Sequence, residues 1–257
     1  MRSRLHWHWL SFLALCLMPL LPAQAGLPET IERIKPSLVV VGIFNKLKSP
    51  SFMMRGTGFA VGDGRLIATN AHVVPETTGN DPDQDQLAIL GRFGNERRVV
   101  PVRLVARDVD HDLALLRFDG PALPTVTLGD ADTAREGQAI AFSGFPIGSV
   151  LGFSPVTHRG IISSITPISV PGNNASQLKT QSIRSLRSGA FPIFQLDATA
   201  YPGNSGGPLF DADSGEVIGI INMVFIKATK ESILEKPSGI SYAIPVRHLK
   251  ELIGAAK

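Results

Sequence analysis

Pro202-Gly203-Asn204-Ser205-Gly206-Gly207-Pro208-Leu209-Phe210 packs three glycines and two prolines around one serine. Glycine costs conformational entropy on folding, so such a cluster marks backbone that bends sharply or is closely approached. A surface turn leading into a short strand at 208–210 would account for it. So would a nucleophile loop that holds Ser205 exposed and aims the N–H groups of Gly203 and Ser205 at a developing oxyanion. The two readings separate on one question. A serine hydroxyl is a weak nucleophile and needs a base, and the base needs an orienting acid.

Both partners are present upstream. Thr69-Asn70-Ala71-His72-Val73-Val74 ends an apolar run on a histidine, and Asp112-Leu113-Ala114-Leu115-Leu116 leads a carboxylate into an apolar strand. Asp108 and Asp110 compete with Asp112 by position. The chain order His, Asp, Ser is that of the chymotrypsin-type triad, not of subtilisins or α/β-hydrolases. With Gly203-Asn204-Ser205-Gly206-Gly207-Pro208-Leu209, these segments resemble the trypsin-like serine proteases, and most closely the HtrA/Deg branch. The resemblance runs from about Leu27 to the end of the chain.

It implies His72 as general base, Asp112 as its orienting acid and Ser205 as nucleophile. The oxyanion hole falls on Gly203, Asn204 and Ser205. By analogy Thr199 lies near the base of the primary pocket, with Ile220, Ile221, Asn222 and Met223 as its wall. That lining carries no charge, so small or medium aliphatic side chains are expected before the cut. Of the other histidines past residue 25, His111 adjoins the acid, His158 reads as a surface residue beside Arg159, and His248 lies on a terminal helix.

The first 25 residues stand apart. Arg2 and Arg4 precede an apolar stretch from Leu10 to Leu21, and Ala23-Gln24-Ala25 forms a small-residue cleavage signal. This is the pattern of a secretory leader, too short for a transmembrane span. Cys16, Trp7 and Trp9 all lie within it, so the chain from residue 26 onward has neither cysteine nor tryptophan. A secreted domain without disulfides must be stable from its core alone, and apolar residues make up 44% of the sequence against 18% charged. Without the two leader arginines, 23 Lys and Arg face 22 Asp and Glu. Near-neutral balance gives no reason to expect a nucleic-acid partner.

Along residues 26–257 the pattern is mostly short strands. A lead-in helix is expected at 27–35, and strands at 37–44, 56–61, 65–70, 87–90, 99–106 and 113–118. A loop fills 45–55, a hairpin turn falls at Gly62-Asp63-Gly64, and the crossover between halves falls at 121–130. The acidic stretch 76–86 lacks the turn glycine and terminal glutamate of a calcium loop and reads as a solvated loop. Further strands are expected at 138–143, 157–165, 194–198, 208–210, 217–226 and 240–244, with a long hydroxyl-rich segment at 167–190. Val246, Leu249, Leu252 and Ile253 share one face of a closing helix. Many short strands in two similar halves argue for an all-β protein of closed barrels. The resemblance makes this two six-stranded antiparallel β-barrels, at about 36–120 and 135–245, with the site between them and a C-terminal helix at about 246–256.

The expectation is therefore an exported, bacterial, periplasmic or secreted serine endopeptidase acting on protein or peptide substrates. It needs no cofactor and no metal, and has no nucleic-acid or membrane partner once its leader is removed. A homo-oligomer is compatible with the family, though nothing in the sequence calls for one. HtrA/Deg proteins usually continue into PDZ domains, whereas this sequence runs about a dozen residues past Tyr242-Ala243-Ile244-Pro245, so a PDZ-less form is expected. A catalytically latent scaffold on the same fold, or an esterase using the same triad, are the competing readings.

Overall fold

A computed structural model describes residues 26–76, 84–146, 152–167, 191–222 and 240–256. The leader, most of the 167–190 segment, Met223 and part of the 76–86 loop lie outside the described residues. Helix α1 (Leu27–Ile34) opens with Pro28 in its first turn, Glu29 near its N-terminus and Arg33 in its last turn. That charge order complements the helix dipole. A short 3-10 turn at Lys35–Ser37 then delivers the chain into the first strand, capped by the Ser37 hydroxyl donating to the Ile34 carbonyl at 2.7 Å.

Seven strands form the first sheet: β1 (Leu38–Phe44), β2 (Phe52–Val61), β3 (Leu66–Asn70), β4 (Gln86–Phe93), β5 (Glu96–Pro101), β6 (Arg103–Asp108) and β7 (Leu113–Arg117). Their order is β5-β4-β1-β2-β3-β7-β6. Successive side chains on a strand point to opposite faces, and here both faces are covered. Leu38, Val40, Phe59, Val61, Ala68, Leu113 and Leu115 join a large core shared with the second half. Their alternates Val39, Val41, Ile43, Ala60, Ile67, Ala114 and Leu116 fill a separate core inside the first half. Two-sided burial is why these strands read as unbroken apolar runs.

The second half is a closed barrel. Strands β8 (Ala139–Gly144), β9 (Val156–Pro167), β10 (Pro192–Asp197), β11 (Pro208–Asp211), β12 (Val217–Asn222) and β13 (Ile240–Pro245) pair in the order β10-β13-β12-β11-β8-β9. Phe142, Phe194, Phe210, Ile140 and Ile162 are its fully buried bulk. Helix α2 (Val246–Ala255) buries Val246 and Leu249 and packs on β12 and β13 of the barrel as well as on β6 and β7 of the first sheet. It therefore clasps both halves.

Four expectations change. Of the two barrels read from the sequence, the second closes, while the first half is a seven-stranded sheet whose ladder does not close. Its two end strands, β5 and β6, are one run of chain interrupted only at Val102, whose N–H turns to the Leu87 carbonyl at 2.9 Å. The single strand read at 99–106 is thus two. β5 pairs with β4 and β6 with β7, and the bend follows Pro101, which has no N–H to donate. Strand β2 begins at Phe52, inside the stretch read as loop, because residues 52–54 pair with β1 while exposing alternate side chains.

The fourth change concerns His158. Its ring stacks on Phe142 with centroids 4.9 Å apart, and Nε2 is buried without a partner. Burial pushes its pKa below the ordinary imidazole range. The folded state thus resists a proton that the unfolded chain accepts. The associated stability is present above the unfolded value of about 6.5 and is lost as pH falls toward the folded one. Chemical denaturation at pH 7.5 and 5.5 should show the wild type losing stability at the lower pH, and His158→Phe losing less. An equal loss in both proteins would show that His158 has no part in it.

Candidate active site

The antiparallel pairing of β3 with β7 sets Asn70 opposite Leu113. The residues just beyond these ends, His72 in a 3-10 turn at Ala71–Val73 and Asp112 before β7, are therefore neighbours. His72 Nδ1 lies 2.6 Å from Asp112 Oδ2, and the His72 backbone N–H donates to Oδ1 at 2.9 Å. The Asn222 amide, arriving from the end of β12, donates to Oδ2 at 2.8 Å. Three donors converge, so the carboxylate serves as acceptor throughout. The Nδ1 position carries the imidazole proton and Nε2 is left as the acceptor. The Asp112 side chain is 10% exposed and that of His72 29%, so the acid is sequestered while the ring keeps an open edge.

Asp112 adopts a left-handed backbone with φ 51°. Only a few residue types, aspartate among them, tolerate this at modest cost. Its carbonyl is held from two sides, by the Ala71 N–H and the Asn70 side-chain amide, each at 3.0 Å. The competing Asp108 is spent elsewhere: His111 Nδ1 lies 2.6 Å from its Oδ2, and the N–H groups of His111 and Asp110 donate to Oδ1. Burial works against its charge, but the bonds from His111 and Asp110 outweigh it and hold the carboxyl below the ordinary range.

Two arginines steady the chain after His72. Arg55 Nε donates to the Val73 carbonyl at 2.8 Å, and Arg107 Nη2 donates to the carbonyls of Val74 and Pro75 at 3.1 and 3.2 Å. Neither could be singled out from sequence, because each acts on backbone rather than through a motif.

The Ser205 loop reaches the first half through Thr57 on β2. The Thr57 N–H donates to the Ser205 carbonyl at 2.8 Å, and its hydroxyl donates to the Gly203 carbonyl at 2.7 Å while accepting the Phe145 N–H at 3.1 Å. On the other side the Gly206 N–H donates to the Ile221 carbonyl, and the Ile221 N–H returns to Gly207, both at 2.9 Å. Glycine is obligatory at two points. Gly203 has φ +105° and Gly206 φ +85°, and a Cβ there would lie 2.3 Å from the Phe145 carbonyl oxygen and 2.2 Å from that of Thr57. Among the described residues, the N–H groups of Gly203 and Ser205 donate to no protein acceptor. Ser205 itself is 7% exposed. The Asn204 side chain is fully buried, and neither its nitrogen nor its oxygen has a partner.

The residues read as a substrate pocket have different surroundings. Thr199 is half-buried just past β10. Ile220 and Ile221 are fully buried in the barrel core. Asn222 is turned onto Asp112, and Met223 lies outside the described residues. The contribution of Asn222 to the acid was not visible in sequence, since the two residues lie far apart in the chain. Among the described residues, no group of three or more His, Cys, Asp and Glu could hold a metal ion. No described helix is long and apolar enough to cross a membrane.

Comparison with known proteins agrees with this geometry. The profile of the trypsin-like peptidase domain matches residues 56–220. A probable periplasmic serine endoprotease, DegP-like, of Halomonas elongata is 34% identical over 192 residues, covering 74% of this chain and 32% of that protein. A second of the same description, from Marinomonas sp., is 32% identical over 202 residues, covering 79% of this chain and 35% of the relative. The chain thus spans about a third of the length of these relatives. Among solved structures, an HtrA-type protease AlgW with tripeptide superposes with a TM-score of 0.64 at 27% identity, over 90% of this chain and 63% of that one. AlgW with decapeptide gives 0.63 at 26% identity, over 90% of this chain and 67% of that one. From the His72–Asp112 pair to the glycine loop around Ser205, sequence and structure agree that the chain belongs to the trypsin-like peptidase family.

Proposed function

We propose that this chain is a serine endopeptidase that cleaves protein or peptide substrates through an acyl-enzyme. The observation that carries the reading is the His72–Asp112 pair, held by donors from both halves, in a fold whose first sheet also holds the glycine loop of Ser205 through Thr57. His72 Nε2 takes the Ser205 proton as the hydroxyl attacks the carbonyl carbon, then gives it to the leaving amine. Asp112 orients the ring and stabilises the imidazolium without taking the proton. The N–H groups of Gly203 and Ser205 receive the oxyanion, with Asn204 shaping the loop between them. Water, activated by the same histidine, then releases the acyl group.

The primary pocket is assigned to the surroundings of Thr199 and to the chain at 220–223, with small or medium aliphatic residues before the cut. Residues 1–25 are assigned as a leader removed after Ala25, so the working form begins beside α1. The DegP-like relatives are named periplasmic, which supports export of this chain too. The continuous run of β5 and β6 supports a first barrel closed by one bent strand.

A fluorophosphonate probe should label purified protein at one site, mapped by mass spectrometry to Ser205, and Ser205→Ala should abolish labelling. A folded sample that stays unlabelled would instead favour a latent scaffold. Asp112→Asn should lower kcat about 10⁴-fold, by inverting the hydrogen-bond role of the acid toward His72. Asn222→Ala should lower it about tenfold, the size of one hydrogen bond to a charged group. Steady-state kinetics on an unfolded protein substrate measure both, and a full-rate Asp112→Asn enzyme would refute the triad. A peptide-library profile dominated by Arg or Lys before the cut would refute the assigned pocket.

A further inference from the structure

Away from the triad, a cleft of about 480 Å³ opens between α1, the first sheet and the side of the barrel that carries Phe145 and Phe153. On the barrel side the described lining is Phe145, Phe153, Ser154 and Pro155, and the inner wall is apolar: Leu38 and Val40 of β1, Leu90 of β4, Phe145 and Phe153. Its rim is cationic. Lys35, Arg92 and Arg97 line it together with a single carboxylate, Glu32. The two guanidinium groups touch only neutral carbonyls. Arg92 Nε donates to Gly94 at 3.2 Å, and Arg97 Nη1 donates to Gly152 at 3.0 Å. Among the described residues none of the three cations forms an ion pair, whereas Arg98, Arg117 and Arg247 each sit on a carboxylate.

This cleft is built with some care. Phe153 is held in the left-handed region, φ 54°, an uncommon conformation for an aromatic residue. Its ring meets Phe52 edge to face with centroids 6.0 Å apart, and Arg97 grips the carbonyl of the residue before it. The volume falls within the range of small-ligand sites. Unpaired guanidinium groups around an apolar floor fit a ligand that is apolar at one end and anionic at the other.

The far wall also belongs to the catalytic loop. The Phe145 N–H donates to the Thr57 hydroxyl, which donates in turn to the Gly203 carbonyl. The Phe145 carbonyl oxygen packs so close to Gly203 that a Cβ there would be 2.3 Å away. A ligand that displaces the Phe145 ring therefore acts on the backbone at Gly203, through its carbonyl and its Cα.

We propose that the cleft between α1 and Phe145 binds a small anionic amphiphile, an apolar chain ending in a carboxylate, and that its occupancy changes the reactivity of Ser205. A fatty-acid anion and the free C-terminus of a peptide with an aliphatic last residue share this chemistry. The second half of the proposal rests on the role assigned to Gly203 above, and the binding half does not.

Octanoate, octanol, and an acetylated tripeptide ending in leucine, as acid and as amide, serve as probes. Because no tryptophan lies beyond residue 25, Phe153→Trp provides a fluorescence reporter in the protein lacking its leader. Calorimetry on the unsubstituted protein checks that the reporter has not created the site. Saturable binding of octanoate, not reproduced by octanol, is expected, and Lys35→Glu with Arg92→Glu should weaken it at least tenfold. If the tripeptide acid binds more tightly than octanoate and the amide does not, the source is a peptide C-terminus; the reverse order points to a fatty acid. No saturable binding of either anion, or binding indifferent to the charge reversals, overturns the site. The rate of fluorophosphonate labelling at Ser205 should change several-fold with bound octanoate, and binding without any change overturns the link to the loop. Should Ser205 fail to label at all, the protease reading falls, while the binding titration still decides the cleft.

Discussion

A carboxylate taken out of water must be met by donors, or the fold that buries it is destabilised by several kcal/mol. Asp112 is such a group, and its donors come from opposite halves of the molecule: the His72 ring and N–H from the first sheet, the Asn222 amide from the barrel. Docking of the halves and orientation of the His72 ring are thereby the same event. The left-handed backbone at Asp112 fits this account. Its carbonyl is held by two donors from the β3 end, so the turn is fixed before the side chain is aimed.

Thr57 does for Ser205 what Asn222 does for Asp112. It lies on a strand of the first half, yet its N–H and hydroxyl hold the Ser205 and Gly203 carbonyls, and the same hydroxyl accepts from Phe145. Position therefore flows from the rigid sheet into a loop that has little side-chain packing of its own. The buried amide of Asn204 within that loop, with neither end satisfied, weighs against the loop by about 1–3 kcal/mol. The tie to Thr57 helps to offset it.

The sequence was legible wherever chemistry is local. The pairing of His72 with Asp112 was legible because each sits in a short motif at the end of an apolar strand pattern. The lead-in helix, the Gly62-Asp63-Gly64 turn and the apolar face of α2 were legible for the same reason. What could not be read depends on partners distant in the chain. Asn222 looked like pocket wall because nothing nearby in sequence marks its bond to Asp112. The break at Val102 escaped notice because a strand that changes partners has the same alternation on both sides of the bend. His158 looked exposed beside Arg159, yet the pleat turns its ring onto Phe142. Arg55 and Arg107 were invisible because a guanidinium on a backbone carbonyl leaves no pattern.

Helix α2 follows β13, and it packs on β6 and β7 as well as on β12 and β13. The strand carrying Asn222 and the loop carrying Ser205 also come late. A half-folded chain can thus assemble β1 to β7 and bring His72 near Asp112 before the Ser205 loop is in place. Loop-closure entropy makes such long-range contacts the last to form. The His72–Asp112 pair can therefore form early, while its junction with the Ser205 loop waits for the barrel to close.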